Sequence, residues 1–126
     1  MTGTPDTGLI AARAAACIAE LEEAWEPLFD DEDMPAHDAE AHAEVAAIIR
    51  RFAAKAGAAD TRRAVKAELD EAVRALNDLD EARGGGLLET DEREIIVPAL
   101  NAIAAAAGLE LSDYDDGDPT LDLRMF

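Results

Sequence analysis

Residues 60–79 read DTRRAVKAELDEAVRALNDL and carry the clearest helical pattern of the chain. Apolar side chains recur there every three or four residues, at Val65, Leu69, Val73 (or Ala72), Leu76 and Leu79. This spacing places them on one face of a helix and leaves the charged side chains on the other. Asp60 is a suitable N-cap and residues 84–86 are glycines, so we predict a helix over 60–83.

Two helices are predicted before this one. The first covers 7–29, is capped by Thr7, and should end or kink at Glu26, because Pro27 disfavours helical geometry in the residue before it. The second covers 35–57, with Pro35 in its first turn and Gly57 as its stop.

A fourth helix is predicted over 90–108. Thr90 is one candidate cap, and Asp91 with Glu94 has the spacing of a capping box. Pro98 lies inside this helix and removes one backbone donor, so we expect a kink there.

Four amphipathic helices joined by short turns favour an all-α single domain over residues 1–126, arranged as an up-down four-helix bundle. Its last helix is kinked, and residues 109–126 form an irregular acidic tail. Aromatic residues make up only 4% of the chain and alanine is abundant. A looser arrangement completed by a homodimer therefore stays open as an alternative.

Composition excludes several partners. The formal net charge is −18, so the chain repels nucleic-acid phosphates and anionic membrane surfaces. No apolar run reaches the length of a membrane span. Cys17 is the single cysteine, which excludes an intramolecular disulfide and favours a reducing, cytoplasmic location. Solubility, or an acidic composition shared by the whole organism, would also explain the charge.

Charge is distributed unevenly along the chain. No basic residue lies between Arg13 and Arg50, and that interval holds 11 acidic ones. Six of the 11 basic residues follow closely, at Arg50, Arg51, Lys55, Arg62, Arg63 and Lys66. In an antiparallel bundle these groups lie at opposite ends. We expect the acidic end to lack internal partners and the tail to fold back onto the basic cluster.

The acidic end is the predicted partner-binding surface. Its candidate residues are Glu22, Trp25, Glu26, Asp30, Asp31, Glu32, Asp33 and Asp38. Trp25 has two interpretations. It is either a core anchor that closes this end of the bundle or, if partly exposed, an interface hot spot.

Candidate chemistry is sparse. His37, Glu40, His42 and Glu44 are weak candidates for a metal site, but the two histidines lie five residues apart and do not share a helix face. The Glu-x-x-His motifs of di-iron bundles do not occur. Cys17 falls on an apolar face and is interpreted as a small buried side chain. We therefore expect no catalytic residue and no cofactor.

These observations favour a noncatalytic bacterial interaction domain that binds a basic partner protein through the acidic end. A small inhibitor or an immunity-type protein fits this description. Two alternatives remain, a metal-binding helical protein and a structural dimerisation module.

Overall fold

The structure is a computed structural model that describes residues 6–33 and 35–126. Over these ranges it is all-helical, with four α-helices: α1 Thr7–Trp25, α2 Ala39–Ala58, α3 Arg62–Ala82 and α4 Thr90–Ala106. The predicted all-α class is confirmed, and the four helices pack against each other. No strand occurs in the described ranges.

The four helices differ in how extensively they contact one another. Helix α1 packs against α4 and α2, and α2 packs against α3, whereas α3 and α4 contact each other less. The core lies between the four helices. It is made mainly of Leu, Ile and Val, with alanine where two helices approach closely. Its largest fully buried members are Trp25, Leu21, Ile49, Leu69, Leu76, Leu87, Ile96, Leu100 and Ile103.

Helix α1 begins at Thr7, the first residue of the predicted range, and changes geometry at Glu26 as expected, but its cap differs from the predicted one. Asp6, not Thr7, is its cap, because the Asp6 side chain accepts a hydrogen bond from the Leu9 N–H at 3.0 Å. The α-helix ends at Trp25, and Glu26–Leu28 forms a single 3-10 turn. Pro27 has no N–H to continue the α-helical hydrogen bonds, which explains the change.

Helix α2 begins four residues later than its predicted start at Pro35. Asp38 has extended backbone geometry, and its Oδ1 accepts from the Ala41 N–H at 2.8 Å. An N-cap carboxylate of this kind satisfies a backbone donor that the first helical turn leaves open. The capping group, rather than the proline, fixes where α2 starts.

The caps of α3 and α4 are also shifted by one residue or two. Thr61, not Asp60, caps α3, through a 3.0 Å bond from the Ala64 N–H to its hydroxyl oxygen. Glu89 caps α4, and its N–H donates to Glu92 Oε1 at 2.9 Å. Neither Thr90 nor the pair Asp91 and Glu94 is the cap.

Helix α4 runs without interruption through Pro98, and the kink there stays a prediction. At its end the backbone reverses at Gly108, whose φ is +111°. The Leu109 N–H donates to Ala104 O at 3.0 Å, and the Gly108 N–H donates to Ala105 O at 3.0 Å. These are the two bonds of a Schellman cap, which requires the left-handed conformation that glycine adopts without strain.

The tail docks between α3 and α4, where those helices contact each other less. Asn77 of α3 donates to Leu123 O at 2.9 Å and accepts from the Met125 N–H at 3.0 Å. Asn101 of α4 donates to Asp118 Oδ1 at 3.1 Å. The tail therefore bridges the two helices and completes that side of the molecule.

The predicted docking of the tail on the basic cluster is only partly right. Glu110 lies 3.8 Å from Arg62, and the Lys66 ammonium lies 5.7 Å from the centre of the Tyr114 ring. Asp118, however, pairs with Arg124 inside the tail itself at 3.3 Å. Side-chain amides of α3 and α4, which carry no charge, hold the rest of the tail, so the charge pattern could not indicate its path.

Candidate functional site

An exposed acidic surface lies at the end of α1 and in the turn that follows it. We define the acidic surface by six residues, all exposed: Glu22, Glu26, Asp30, Asp31, Glu32 and Asp33. Within the described part of the chain none of the six lies within 4.0 Å of a basic side chain. Residues 14–49 contain no lysine or arginine, so neither the second half of α1 nor the turn after it can supply an ion-pair partner.

Two hydrogen bonds within the turn hold the acidic surface in place. The Asp31 N–H donates to Leu28 O at 3.0 Å, and the Asp33 N–H donates to Asp31 Oδ1 at 2.9 Å. Asp31 therefore has a structural part in the turn. Asp30 and Glu32 have no such bond in the described structure. Their carboxylates are exposed to solvent and do not stabilise the turn.

Asp38, one of the predicted partner-binding residues, is paired within the chain, unlike the six residues of the acidic surface. Arg83 is the first residue after α3. Its Nη1 lies 3.1 Å from Asp38 Oδ1 and its Nη2 lies 3.4 Å from Glu44 Oε2. The Ala41 N–H, followed by Arg83, lowers the pKa of Asp38 below its ordinary value. The expectation that this end lacks internal partners is therefore wrong at Asp38 and Glu44.

Trp25 also leaves the predicted binding set, because its side chain is 0% exposed. Its Nε1–H donates to Glu92 Oε2 at 3.2 Å, in the interior beneath the acidic surface. Of the two interpretations of this residue, the core anchor is the one that the structure supports. A buried indole needs such an acceptor, and Glu92 provides it.

The two histidines pack around Trp25 and do not face each other as ligands. His37 is 3% exposed and meets the Trp25 ring edge-on at 5.1 Å. Its Nε2–H donates to Leu87 O at 3.0 Å, and the Nε2–H of His42 donates to Ile18 O at 3.0 Å. Each ring is thus held by a main-chain carbonyl of a different segment.

The four metal candidates are therefore not brought together. Glu40 is exposed, Glu44 lies beside Arg83, and the histidines are bound to carbonyl groups. In residues 6–33 and 35–126, no three His, Cys, Asp or Glu side chains are arranged to hold a metal ion.

Sequence reasoning missed Glu92, the buried carboxylate that joins this cluster. It is 8% exposed and lies 4.0 Å from His37 Nε2 as well as within hydrogen-bond distance of Trp25. One signal could have found it. Glu92, Ile96 and Leu100 follow each other at four-residue spacing, so the glutamate shares the apolar face of α4.

Cys17 is buried, as predicted, at 3% exposure. Burial, and then the charge of Glu20, raise the pKa of its thiol to about 11. Because the thiolate is the reactive form of cysteine, this environment is unsuited to a nucleophile near neutral pH.

Among the described residues, no helix is long and apolar enough to cross a membrane. A scan against models of protein families found no match to this chain, and searches of curated proteins and of solved structures found none either.

Proposed function

We propose that this protein is a noncatalytic interaction domain that binds a basic partner protein through the acidic surface. One observation carries the proposal: six exposed carboxylates lie on the last turns of α1 and in the turn that follows it, and they form no ion pair within the described part of the chain. By contrast, Asp38 and Glu44 at the same end are paired with Arg83.

Repulsion between neighbouring carboxylates favours the binding of positively charged groups to this surface. Glu22 and Glu26 are like charges four residues apart, which costs a helix a few tenths of a kcal/mol. Basic side chains of a partner would relieve that repulsion. They would also be attracted over distances of about the Debye length, roughly 8 Å at physiological salt, and this attraction speeds association.

The up-down order of the helices is part of the proposal. Contacts at the helix ends support it: Trp25 at the end of α1 binds Glu92 at the start of α4, and the Asp6 N–H donates to Ala106 O at 3.0 Å. Arg83, after α3, reaches the start of α2. This order places the turn of the acidic surface and the turn between α2 and α3, beside which Arg62 and Arg63 lie, at opposite ends of the helices, about 30 Å apart.

Size and charge together suggest a small inhibitor or immunity-type protein of a bacterial cytoplasm. Such a protein neutralises a basic enzyme by covering a positively charged surface, and this requires no chemistry of its own. The buried thiol of Cys17 and the carbonyl-bound histidines are consistent with a noncatalytic role.

Charge reversal tests the proposal. Asp30→Lys, Glu32→Lys and Asp33→Lys are combined, and Asp31 is kept because its side chain holds the turn. The matched control combines Asp60→Lys, Glu71→Lys and Asp115→Lys, which are exposed, lie outside the acidic surface and change the net charge equally.

Immobilised wild-type and variant proteins are used to capture binding proteins from lysate of the producing cells. We expect the wild type and the control to capture the same basic protein and the acidic-surface variant to lose it. Equal capture by all three proteins would contradict the proposal.

A further inference from the structure

A groove runs between α1 and α2 on the outside of the molecule. It encloses about 710 Å³ and reaches from Thr7 to Glu22 along α1. Eleven of its 13 lining residues are neither acidic nor basic, and most of these are alanine. The two charged ones are Glu22, a member of the acidic surface, and Arg50.

Small side chains create this groove. Helix α1 contributes Ala11, Ala15 and Ala19, which recur every four residues, and α2 contributes Ala54 and Ala58 at the same spacing. At one end the helices approach closely, since a side chain on Gly57 would meet Thr7 at 3.7 Å. Away from that contact, alanines on both walls leave a space that larger side chains would have filled.

We propose that this groove binds a cationic amphipathic helix of the basic partner, so the inference rests on the function proposed above. The shape fits a helix. Thr7 to Glu22 spans about 22 Å, which matches about four helical turns. A helix laid in a groove of this kind buries apolar side chains at every third or fourth position and keeps its flanks in water.

Charge decides between the occupants. A second copy of this chain also carries a net charge of −18, so self-association through the groove brings two strongly acidic molecules together. A cationic helix instead complements the net charge of the molecule, although Arg50 within the groove requires an uncharged stretch of that helix opposite it. It also complements the end of the groove, where Glu22 leads directly into the acidic surface.

The groove and its charged end set the chemistry of the partner's helix. Its helix presents leucine-like side chains to the alanine walls, and its lysine or arginine side chains cluster toward the end that meets Glu22. The apolar face supplies burial and the basic residues supply attraction and direction.

The test uses a synthetic peptide of about 18 leucine and lysine residues patterned as an amphipathic helix. A scrambled peptide of the same composition is the peptide control. Fluorescence anisotropy of the labelled peptides measures their affinity for the folded full chain at about 150 mM salt, where long-range attraction is screened.

Two pairs of substitutions separate the groove from charge. Ala15→Gln with Ala54→Gln puts polar amides on both walls without changing the charge. The matched control is Ala16→Gln with Ala47→Gln, at exposed positions of the same helices outside the groove. An amide in each wall would be desolvated by an apolar occupant, so we expect at least about tenfold weaker binding of the patterned peptide. The control should stay within about twofold of wild type.

Equal affinity of the groove variant and its control would overturn the inference, as would equal affinity of the patterned and scrambled peptides for wild type. The acidic-surface variant distinguishes the two proposals. If it loses the partner while the groove variant keeps both partner and peptide, the groove fails and the proposed function stands. If the acidic-surface variant keeps the partner, the proposed function itself fails.

Discussion

Trp25 and Glu92 form the buried polar contact on which the acidic end is built. The indole N–H, which is fully buried, meets the largely buried carboxylate of Glu92 at 3.2 Å. Burying a carboxylate without hydrogen bonds costs free energy of folding. The bonds that Glu92 accepts from Trp25 and from the Glu89 N–H at the start of α4 are therefore needed for stability. The residues that stabilise this end are therefore different from those that we expect to bind a partner.

Replacing the indole tests this contact. Trp25→Phe should lower the free energy of unfolding by at least about 1.5 kcal/mol, because the buried Glu92 carboxylate loses the hydrogen bond that the indole N–H donates to it. Urea unfolding followed by circular dichroism measures the change. In a double-mutant cycle with Glu92→Met the two effects should couple, whereas Glu94→Met, an exposed change on the same helix, should not couple with Trp25→Phe. Independent effects of Trp25 and Glu92 would contradict the contact.

The Cys17 thiol should be nearly inert in the folded protein. Its raised pKa, about 11, and its burial both keep the thiolate away from a disulfide reagent. At pH 8 we expect reaction with such a reagent to be slow and to become fast in 6 M guanidinium, roughly the range that unfolds stable proteins. Fast labelling of the native chain would show that the thiol is accessible.

At the residue scale the sequence predicts burial better than pairing. Cys17 falls on an apolar stripe, and the stripe is enough to place it inside. Trp25 lies on the same stripe, but the acceptor it needs is 67 positions away at Glu92. Arg83 likewise reaches Asp38 across 45 positions. Such long-range partners depend on how helices pack, which periodicity alone does not specify.

At the scale of the helices, boundaries follow side-chain caps. All four helices were predicted from the spacing of apolar residues, which sets the buried face. The starts differ by up to four residues, because several neighbouring side chains can each act as a cap. In α2, Asp38 is the cap because it binds both the Ala41 N–H and Arg83, and Arg83 lies just after a different helix, α3.

The start of α2 should have a defined pH dependence. The folded pKa of Asp38 lies below its unfolded value of about 3.9, so its contribution to stability is present above that pH. It is lost as the pH falls through the lowered folded pKa. Asp38→Ala should cost about 0.5–2 kcal/mol at pH 7 and progressively less in acid.

Asp38→Asn separates the two functions of this carboxylate, since asparagine caps a helix as well as aspartate does but does not pair with Arg83. It should cost less than Asp38→Ala. Asp33→Asn, in the exposed acidic surface, serves as the control for removing one negative charge. Urea unfolding between about pH 3 and pH 7 measures all three. A cost of Asp38→Ala that does not decrease in acid would contradict this assignment.

For the whole molecule, the tail completes the side that the helices leave open. Sequence reasoning recognised that apolar tail residues would dock, but charge pointed it toward the basic cluster. Only Glu110 and Tyr114 meet that cluster, at Arg62 and Lys66, and the amides of Asn77 and Asn101 hold the rest of the tail. Single asparagines on helix faces resemble ordinary surface residues, so their role appears only when the tail is in place.

Asn77→Ala should therefore destabilise the fold although the residue is only partly buried. It removes the bonds to Leu123 and Met125, at about 0.5–1.5 kcal/mol each, so we expect a loss of about 1–3 kcal/mol. Asp78→Ala, its exposed neighbour, should change stability by less than about 0.5 kcal/mol. Equal effects of the two substitutions in urea unfolding would contradict the docked tail.

The central claim concerns the whole charge distribution, namely that the acidic surface attracts a basic partner. Its most direct test is the rate at which the captured partner associates with the chain, measured across increasing salt. We predict a rate that falls steeply with salt for the wild type and for the control with Asp60, Glu71 and Asp115 reversed. The variant with Asp30, Glu32 and Asp33 reversed should associate more slowly and respond less to salt. Identical rates and identical salt dependence in the two charge-reversed proteins would contradict the claim.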